Sequence, residues 1–234
     1  MPSDLASDTV PAFIADWFAA LSPRSLSEIA TSPETVALFS ADLTIGFCRS
    51  GALSSPRVGA LAEPARDLFL RAHDLGVRHF VLLQDTHDPA TPEFQTWPPH
   101  CLRGTDEART IPELATLPFA DQVTTIEKNS LNPAIATEFD DWLDAHPRLT
   151  TAIVLGDCTD LCVYQLAMHL RLRANARNLS TFEVIVPADV VDTFDLPVSA
   201  VAGAAGMPHP GDFFHRVFLY HLALNGVRVV RSLT

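Results

Sequence analysis

The sequence has few basic residues, few cysteines and no long apolar stretch. Its 234 residues include 16 Lys and Arg against 28 Asp and Glu, which gives a formal net charge of −12. Because nucleic acids are bound mainly through Lys and Arg, this balance argues against a nucleic-acid partner. No apolar run approaches the ~18 residues that a membrane span needs, so no membrane partner is expected. The four cysteines are too few for a disulfide-stabilised fold.

The residues that are present favour a globular cytoplasmic protein. The hydrophobic fraction of 47% can fill a large core, which excludes disorder for most of the chain. The first ten residues, MPSDLASDTV, contain neither a basic region nor an apolar region. We therefore expect no secretory signal, a cytoplasmic location and reduced thiols.

Apolar segments alternate with helical segments along most of the chain. Six strands are predicted, at 35–42, 77–85, 122–128, 150–157, 182–189 and 227–230. The main helices between them are predicted at 64–76, 134–146, 160–177 and 212–226. Since the strands are continuously apolar, we predict an α/β fold, a six-stranded parallel sheet with helices on both faces. Residues 1–34 are predicted to form a short helical N-terminal extension, in which two short helices dock on a domain at 35–234.

Charged residues end several of the predicted strands. These residues are Asp42, Asp85, Lys128 and Asp157. Ligands bind at the carboxyl ends of parallel strands, so we expect a site at this edge of the sheet. The segment 85–110, with four prolines, is too long for an ordinary loop, and such loops are usually functional.

Cys162 is a candidate nucleophile, because it lies just after a predicted strand and at the start of a predicted helix. A helix N-terminus stabilises a thiolate. Asp42 could act as its general base, and Lys128 could keep that carboxylate ionised. The alternatives are an inert buried cysteine and an ordinary surface salt bridge. The evidence for a reactive thiol is weaker at the other three cysteines, which are Cys48, Cys101 and Cys158. Cys48 is interpreted as structural.

A second group of residues could bind a metal. Asp85 and His87 share one side of an extended segment, since alternate residues of such a segment point the same way. Glu93 and His100 follow in the same loop. Imidazole and carboxylate ligands suit zinc, iron or manganese. The alternative is that these histidines are ordinary exposed loop residues.

Several stretches together resemble the nicotinamidase/pyrazinamidase family, in the cysteine-hydrolase branch of the isochorismatase-like superfamily. They are DLTIGF (42–47), DTH (85–87), WPPHCLRGTDEA (97–108), the strand-end Lys128 and LGDCTDLCVYQLA (155–167). They occur in the family's order, within about residues 35–230. The resemblance implies a Rossmann-type three-layer fold, in agreement with the predicted alternation.

The resemblance also implies the residues of the site. Its catalytic triad would be Asp42, Lys128 and Cys162. The backbone N–H groups of Cys158 and Cys162 would form its oxyanion hole, with a cis peptide bond before Cys158. Its metal ligands would be Asp85, His87, His100 and, at a position that varies in the family, Glu93. Its substrate pocket would be lined by Phe47 and Trp97. One divalent metal ion is implied, with zinc expected first and iron or manganese as alternatives.

The implied reaction is hydrolysis of nicotinamide to nicotinate and ammonia through a thioester, a step of NAD salvage. One alternative is a related amidohydrolase acting on a carbamoyl compound or a ureide, in which the metal motif is not expected. Another is a non-catalytic binding protein that has kept the pocket. The expected partner is a small amide, and the chain could form a homo-oligomer.

Three positions differ from the family pattern. Thr44 stands where Gln is usual, and Asn129 follows the lysine where Gly is usual. Asp157 stands where an apolar residue usually precedes the cis bond. None of these differences removes a reactive group, but they leave room for a different amide substrate.

Overall fold

The computed structural model describes residues 10–201 and 207–234. The strands are β1 (Val36–Ala41), β2 (His79–Asp85), β3 (Thr124–Lys128), β4 (Thr151–Asp157), β5 (Glu183–Pro187), β6 (Val191–Asp192) and β7 (Arg228–Val230). The helices are α1 (Ala12–Ala19), α2 (Leu26–Ile29), α3 (Ile45–Cys48), α4 (Pro56–Gly59), α5 (Ala62–Asp74), α6 (Pro112–Ala115), α7 (Phe139–Ala145), α8 (Cys162–Ala176), α9 (Val198–Val201) and α10 (Gly211–Leu224). Short 3-10 segments lie at Pro33–Thr35, Pro92–Gln95, Asp106–Ala108 and Ala120–Gln122.

The strands form one parallel sheet in the order β3-β2-β1-β4-β5-β7. The predicted parallel α/β fold is therefore confirmed. The predicted number of six strands needs a small correction, because the sheet has a seventh strand. This strand, β6, has two residues and pairs with Gly156 and Asp157 at the end of β4. A strand so short carries no apolar pattern in the sequence.

The core consists of two apolar layers, one on each face of the sheet. All six residues of β1 are buried. Leu38 packs in the layer that contains α2 and α5, whereas Phe39 packs in the layer that contains α7, α8 and α10. Burial on both faces explains why the strands are continuously apolar.

Most predicted helices form, but one begins later than expected. The helix predicted at 134–146 begins at Phe139. Before it, Asn132 Oδ1 accepts from the Ala134 N–H at 2.9 Å, and Ala136 has a φ of +56°. This turn satisfies local backbone groups in a way that a helix does not allow.

Both helices predicted for the N-terminal extension form, as α1 and α2. The helix α1 packs against α10, with Trp17 in edge-to-face contact with Tyr220 at 5.2 Å. The first nine residues of the extension lie outside the described residues. The domain division at residue 34 stays a prediction. Among the described helices, none is both long and apolar enough to span a lipid bilayer.

Candidate active site

The carboxyl ends of neighbouring strands bring the predicted charged residues together. Asp85 and Lys128 lie side by side in the register of β2 and β3, and Asp42 directly follows β1. The ends of β1 and β4 approach closely at Gly156, where an added Cβ would lie 2.0 Å from the Ala41 carbonyl oxygen. Glycine is therefore required there, and the close approach places the chain after β4 beside Asp42.

Lys128 lies between two carboxylates and a thiol. Its Nζ is 2.9 Å from Asp42 Oδ2 and donates a hydrogen bond to Asp85 Oδ1. The same Nζ donates to Cys162 Sγ at 3.4 Å. Ligand atoms of Asp42, Asp85 and Cys162 all lie within 4.8 Å of one another. Since Lys128 and Asp42 are each 1% exposed, a surface salt bridge is excluded.

Burial and neighbouring charge set the protonation of this cluster. Burial and the Asp85 carboxylate raise the pKa of Asp42 to about 6. Burial alone would lower the pKa of Lys128, but the two carboxylates outweigh it and hold that pKa well above its usual value. Burial and the Asp42 carboxylate raise the pKa of the Cys162 thiol well above its usual value. The site thus pairs a neutral thiol with a base, rather than presenting the preformed thiolate that a helix start favours.

The loop between β4 and α8 presents two backbone N–H groups beside the thiol. Cys162 is the first residue of α8, and no side chain caps this helix start. The N–H groups of Cys158 and Cys162 donate no hydrogen bond to any residue in the described ranges. Two such donors next to a nucleophile could stabilise an oxyanion. The Asp157–Cys158 peptide bond is cis, as the resemblance implies.

Asp157 is a further buried carboxyl group, at the end of β4. The residue is 1% exposed, and Cys158 Sγ donates to its Oδ2 at 3.6 Å. Burial and the Asp42 carboxylate raise the pKa of Asp157 well above its usual value, which favours its uncharged form. An uncharged acid explains how Asp157 can occupy a position at which the family usually has an apolar residue.

The four predicted metal ligands form one cluster. Asp85 Oδ2 lies 3.4 Å from His87 Nε2 and 3.9 Å from His100 Nε2. Glu93 Oε1 lies 3.9 Å from both of these ring nitrogens. His87 and His100 are 0% and 3% exposed, which excludes ordinary surface histidines. Asp85 joins the two groups of the site, because its other oxygen contacts Lys128.

The atoms at the centre of this cluster fit a divalent cation. Asp85 Oδ2 and His87 Nε2 are buried, and neither has a hydrogen-bond partner among the described residues. Buried polar atoms are rarely left unpaired, so the convergence of these two fits a shared bound cation. Two imidazoles and two carboxylates are ligands that zinc, iron and manganese accept.

Of the two predicted pocket aromatics, Phe47 lies beside this cluster, whereas the Trp97 ring contacts Phe194. The Phe47 ring is 5.5 Å from the His100 ring, and the Trp97 ring is 6.0 Å from that of Phe194. Phe94, which the sequence did not indicate, lies 5.5 Å from His87 and 5.6 Å from His100. Its position next to Glu93, in the loop that carries the candidate metal ligands, is the signal in the sequence that points to it.

Asn129 is another residue near the site that sequence reasoning did not assign. Its Oδ1 lies 3.1 Å from His87 Nδ1. Cys48 and Cys101 are buried in the apolar layer that contains α5, and all four cysteines are free. This position agrees with the structural interpretation of Cys48.

Comparisons with known proteins agree with this geometry. Residues 36–202 match the isochorismatase domain. Nicotinamidase 1 of Arabidopsis thaliana is 29% identical over 217 residues, covering 86% of this chain and 87% of that protein. N-carbamoylsarcosine amidase from Thermoplasma acidophilum has a similar structure, with a TM-score of 0.61 and 25% identity, covering 84% of this chain and 96% of that one.

A zinc-bound relative has the same fold. The structure of Pyrococcus horikoshii pyrazinamidase in complex with zinc has a TM-score of 0.63 and 19% identity, covering 84% of this chain and 99% of that one. The domain match spans more than half of the chain, and the relatives are amide hydrolases by name. The chain therefore belongs to the isochorismatase family, and it is an enzyme, a nicotinamidase-like cysteine hydrolase.

Proposed function

We propose that this enzyme hydrolyses nicotinamide to nicotinate and ammonia, with Cys162 as nucleophile and one divalent metal ion beside it. The observation that carries the proposal is the convergence of a buried thiol, carboxylate and ammonium next to a cluster of histidines and carboxylates. The similarity to Arabidopsis thaliana nicotinamidase 1 over most of both chains supports this substrate.

The first half of the reaction would form a thioester. Asp42 takes the proton of the Cys162 thiol, and the thiolate attacks the carboxamide carbon. The backbone N–H groups of Cys158 and Cys162 donate to the oxyanion, a contribution of about 3 kcal/mol per donor in comparable sites. The C–N bond then breaks, and the leaving nitrogen receives the proton from Asp42 and departs as ammonia.

The second half would return the free enzyme. Asp42 takes a proton from a water molecule, whose oxygen attacks the thioester carbon. The C–S bond breaks, the Cys162 thiolate recovers its proton from Asp42, and the product acid loses its proton to solvent and is released as nicotinate. Lys128 keeps Asp42 in place and remains charged throughout, since it is flanked by two carboxylates.

The metal part of the proposal concerns orientation of the substrate. Asp85, His87, Glu93 and His100 would hold the ion. When bound, a divalent cation supplies a Lewis-acid contact that can orient a ring nitrogen. Phe47 and Trp97 would then contact the pyridine ring. We propose zinc, because the mixed nitrogen and oxygen donors suit it and because the pyrazinamidase of the same fold is a zinc complex.

A carbamoyl compound is the second candidate substrate. The similarity to N-carbamoylsarcosine amidase favours it, because the name of that enzyme describes a carbamoyl substrate. Thr44 and Asn129 stand where the nicotinamidase pattern usually has Gln and Gly, which leaves room for a different amide substrate. The buried ligand cluster favours nicotinamide, since the carbamoyl alternative gives the cluster no role.

Ammonia release should be measured with nicotinamide, pyrazinamide and N-carbamoyl amino acids, each with and without a chelator. We expect the highest kcat/KM for nicotinamide and its loss on chelation. Cys162→Ala should lower kcat by about 10⁴-fold or more, whereas Cys48→Ala is the matched control and should stay active. A higher kcat/KM for the carbamoyl compounds, unaffected by chelator, would favour the second substrate. Absence of ammonia from every amide would overturn the proposed reaction.

A further inference from the structure

Asn129 connects the end of β3 to the histidine cluster. It directly follows Lys128, and its side-chain oxygen faces the ring of His87. We infer that Asn129 is a positioning residue that fixes the protonated nitrogen of His87 and so leaves Nε2 free to bind a metal. This inference rests on the metal part of the proposed function, and it concerns a residue outside the ligand set.

The hydrogen bonds of Asn129 determine which ring nitrogen carries the proton. The Asp88 backbone N–H lies 3.1 Å from the Asn129 side-chain oxygen. A backbone N–H can only donate, so the amide atom that faces it must be the carbonyl oxygen. The same oxygen lies 3.1 Å from His87 Nδ1. Since a carbonyl oxygen can only accept, Nδ1 must carry the proton, and the Nε2 of the neutral ring has the lone pair.

His100 is oriented in the same way by a different group. Its Nδ1 lies 2.8 Å from the Pro98 carbonyl oxygen, which can only accept. Both histidines therefore direct Nε2 towards Asp85 and Glu93. Acceptors on the outer nitrogens of metal-binding histidines commonly fix the ring in this way. The acceptor for His100 is a backbone carbonyl, which a side-chain substitution does not remove. The acceptor for His87 is the Asn129 side chain, which a substitution can remove.

The exposure of Asn129 makes the inference testable. Asn129 is exposed, whereas His87 is fully buried, so replacing Asn129 removes little packing. Asn129→Leu removes the acceptor, and Asn129→Asp keeps an oxygen at the same place. Asn175→Leu, at an exposed position of α8, is the matched control.

Zinc affinity of the metal-free protein should be measured by competition with a chromophoric chelator. We expect about 10- to 100-fold weaker binding for Asn129→Leu, the usual effect of losing such a partner. Asn129→Asp and Asn175→Leu should stay within about twofold of the unsubstituted protein, which is well below that range. His87→Ala should abolish binding, which assigns the zinc to this cluster. Unchanged affinity for Asn129→Leu would overturn the inference and leave the metal site standing.

A second measurement uses the unsubstituted protein and does not depend on variants folding. Long-range proton–nitrogen NMR of the ¹⁵N-histidine-labelled, metal-free protein reports the tautomer, and His87→Ala assigns the signal. At alkaline pH, where the ring is neutral, we expect the proton on Nδ1. A proton on Nε2 would overturn the inference. Absence of His87-dependent zinc binding would overturn it together with the metal site, whereas bound zinc without ammonia release would overturn the proposed reaction alone.

Discussion

Among single residues, Asp42 is the proposed base that takes the proton of Cys162. Burial and the Asp85 carboxylate raise the pKa of Asp42 to about 6, which is close to the value that suits a base at neutral pH. The base must be ionised to accept a proton, so activity should fall as the pH drops through this value. We expect kcat/KM for ammonia release to decrease by about tenfold per pH unit below the pKa.

The pH profile needs two controls. Metal content should be measured at each pH, because loss of metal would also lower activity. Samples returned to neutral pH should recover fully, which excludes acid unfolding. An acid limb near ~4, the ordinary aspartate value, would contradict the assignment of Asp42 as a buried base.

The reactive groups could be predicted from the sequence, whereas the hydrogen-bond partner of His87 could not. Asp42, Lys128 and Cys162 follow strands or begin a helix, and parallel strand ends meet at one edge, so their convergence follows from topology. Asn129 acts through the direction of one side chain towards His87, 42 positions away along the chain. An asparagine after a strand is common in turns, so its type and place carry no signal of this role.

At the scale of elements, continuous apolar runs predicted the sheet well, and local turns limited the prediction of helices. The predicted ends of β1 and β4 fell close to their observed positions because these two strands are buried on both faces. The start of α7 was predicted too early, because the Asn132 side chain accepts a hydrogen bond from the Ala134 N–H and so forms a turn before the helix. The strand β6 was missed, because two residues cannot form a periodic pattern.

The loop that carries the two free N–H groups is held by a contact from a distant segment. Asp160, in this loop, has its Oδ2 2.7 Å from His209 Nε2. The His209 ring is stacked between Phe194, at 3.8 Å, and Phe214, at 4.2 Å. His209 is thus fixed by its neighbours and can in turn fix the loop that leads to Cys162.

Removing this contact should slow catalysis more than it weakens substrate binding. His209→Phe keeps an aromatic ring in the stack but leaves Asp160 without its donor. We expect kcat to fall by about 10- to 100-fold with little change in KM, since small displacements of reacting groups have effects of this size. Steady-state ammonia release measures both constants. His221→Phe, at a surface contact with Tyr164, is the matched control, and an unchanged kcat in folded His209→Phe would contradict the role.

At the scale of the whole molecule, the described part of the N-terminal extension is joined to the C-terminal segment. The Arg24 N–H donates to the Ser232 carbonyl, and the Thr234 N–H donates to the Arg24 carbonyl. The Arg231 guanidinium donates to carbonyl oxygens at the end of α1, among them that of Phe18. The apolar periodicity of the N-terminal helices predicted that they dock on the domain. The sequence could not identify the surface on which they dock, because that surface is a helix face that the sheet leaves uncovered.

The helix α1 should stabilise the fold without affecting the reaction. Trp17 and Phe13 both contact Tyr220 edge to face, at 5.2 and 5.6 Å, but only Trp17 packs on the apolar layer, while Phe13 is 60% exposed. Trp17→Ala should therefore lower the free energy of unfolding by about 2–3 kcal/mol, somewhat less than for a fully buried aromatic, and Phe13→Ala by less than ~1 kcal/mol.

Urea unfolding at constant m-value measures the two losses, and the ammonia assay measures their effect on catalysis. Trp17 lies beside Val227 and Glu183, where β7 and β5 begin, at the edge of the sheet opposite the strand ends that carry Lys128. The kcat of folded Trp17→Ala should therefore equal that of the unsubstituted protein. Equal losses of stability for the two variants would mean that the Tyr220 contact, rather than burial in the layer, holds α1; a lowered kcat would mean that α1 also acts on the distant site.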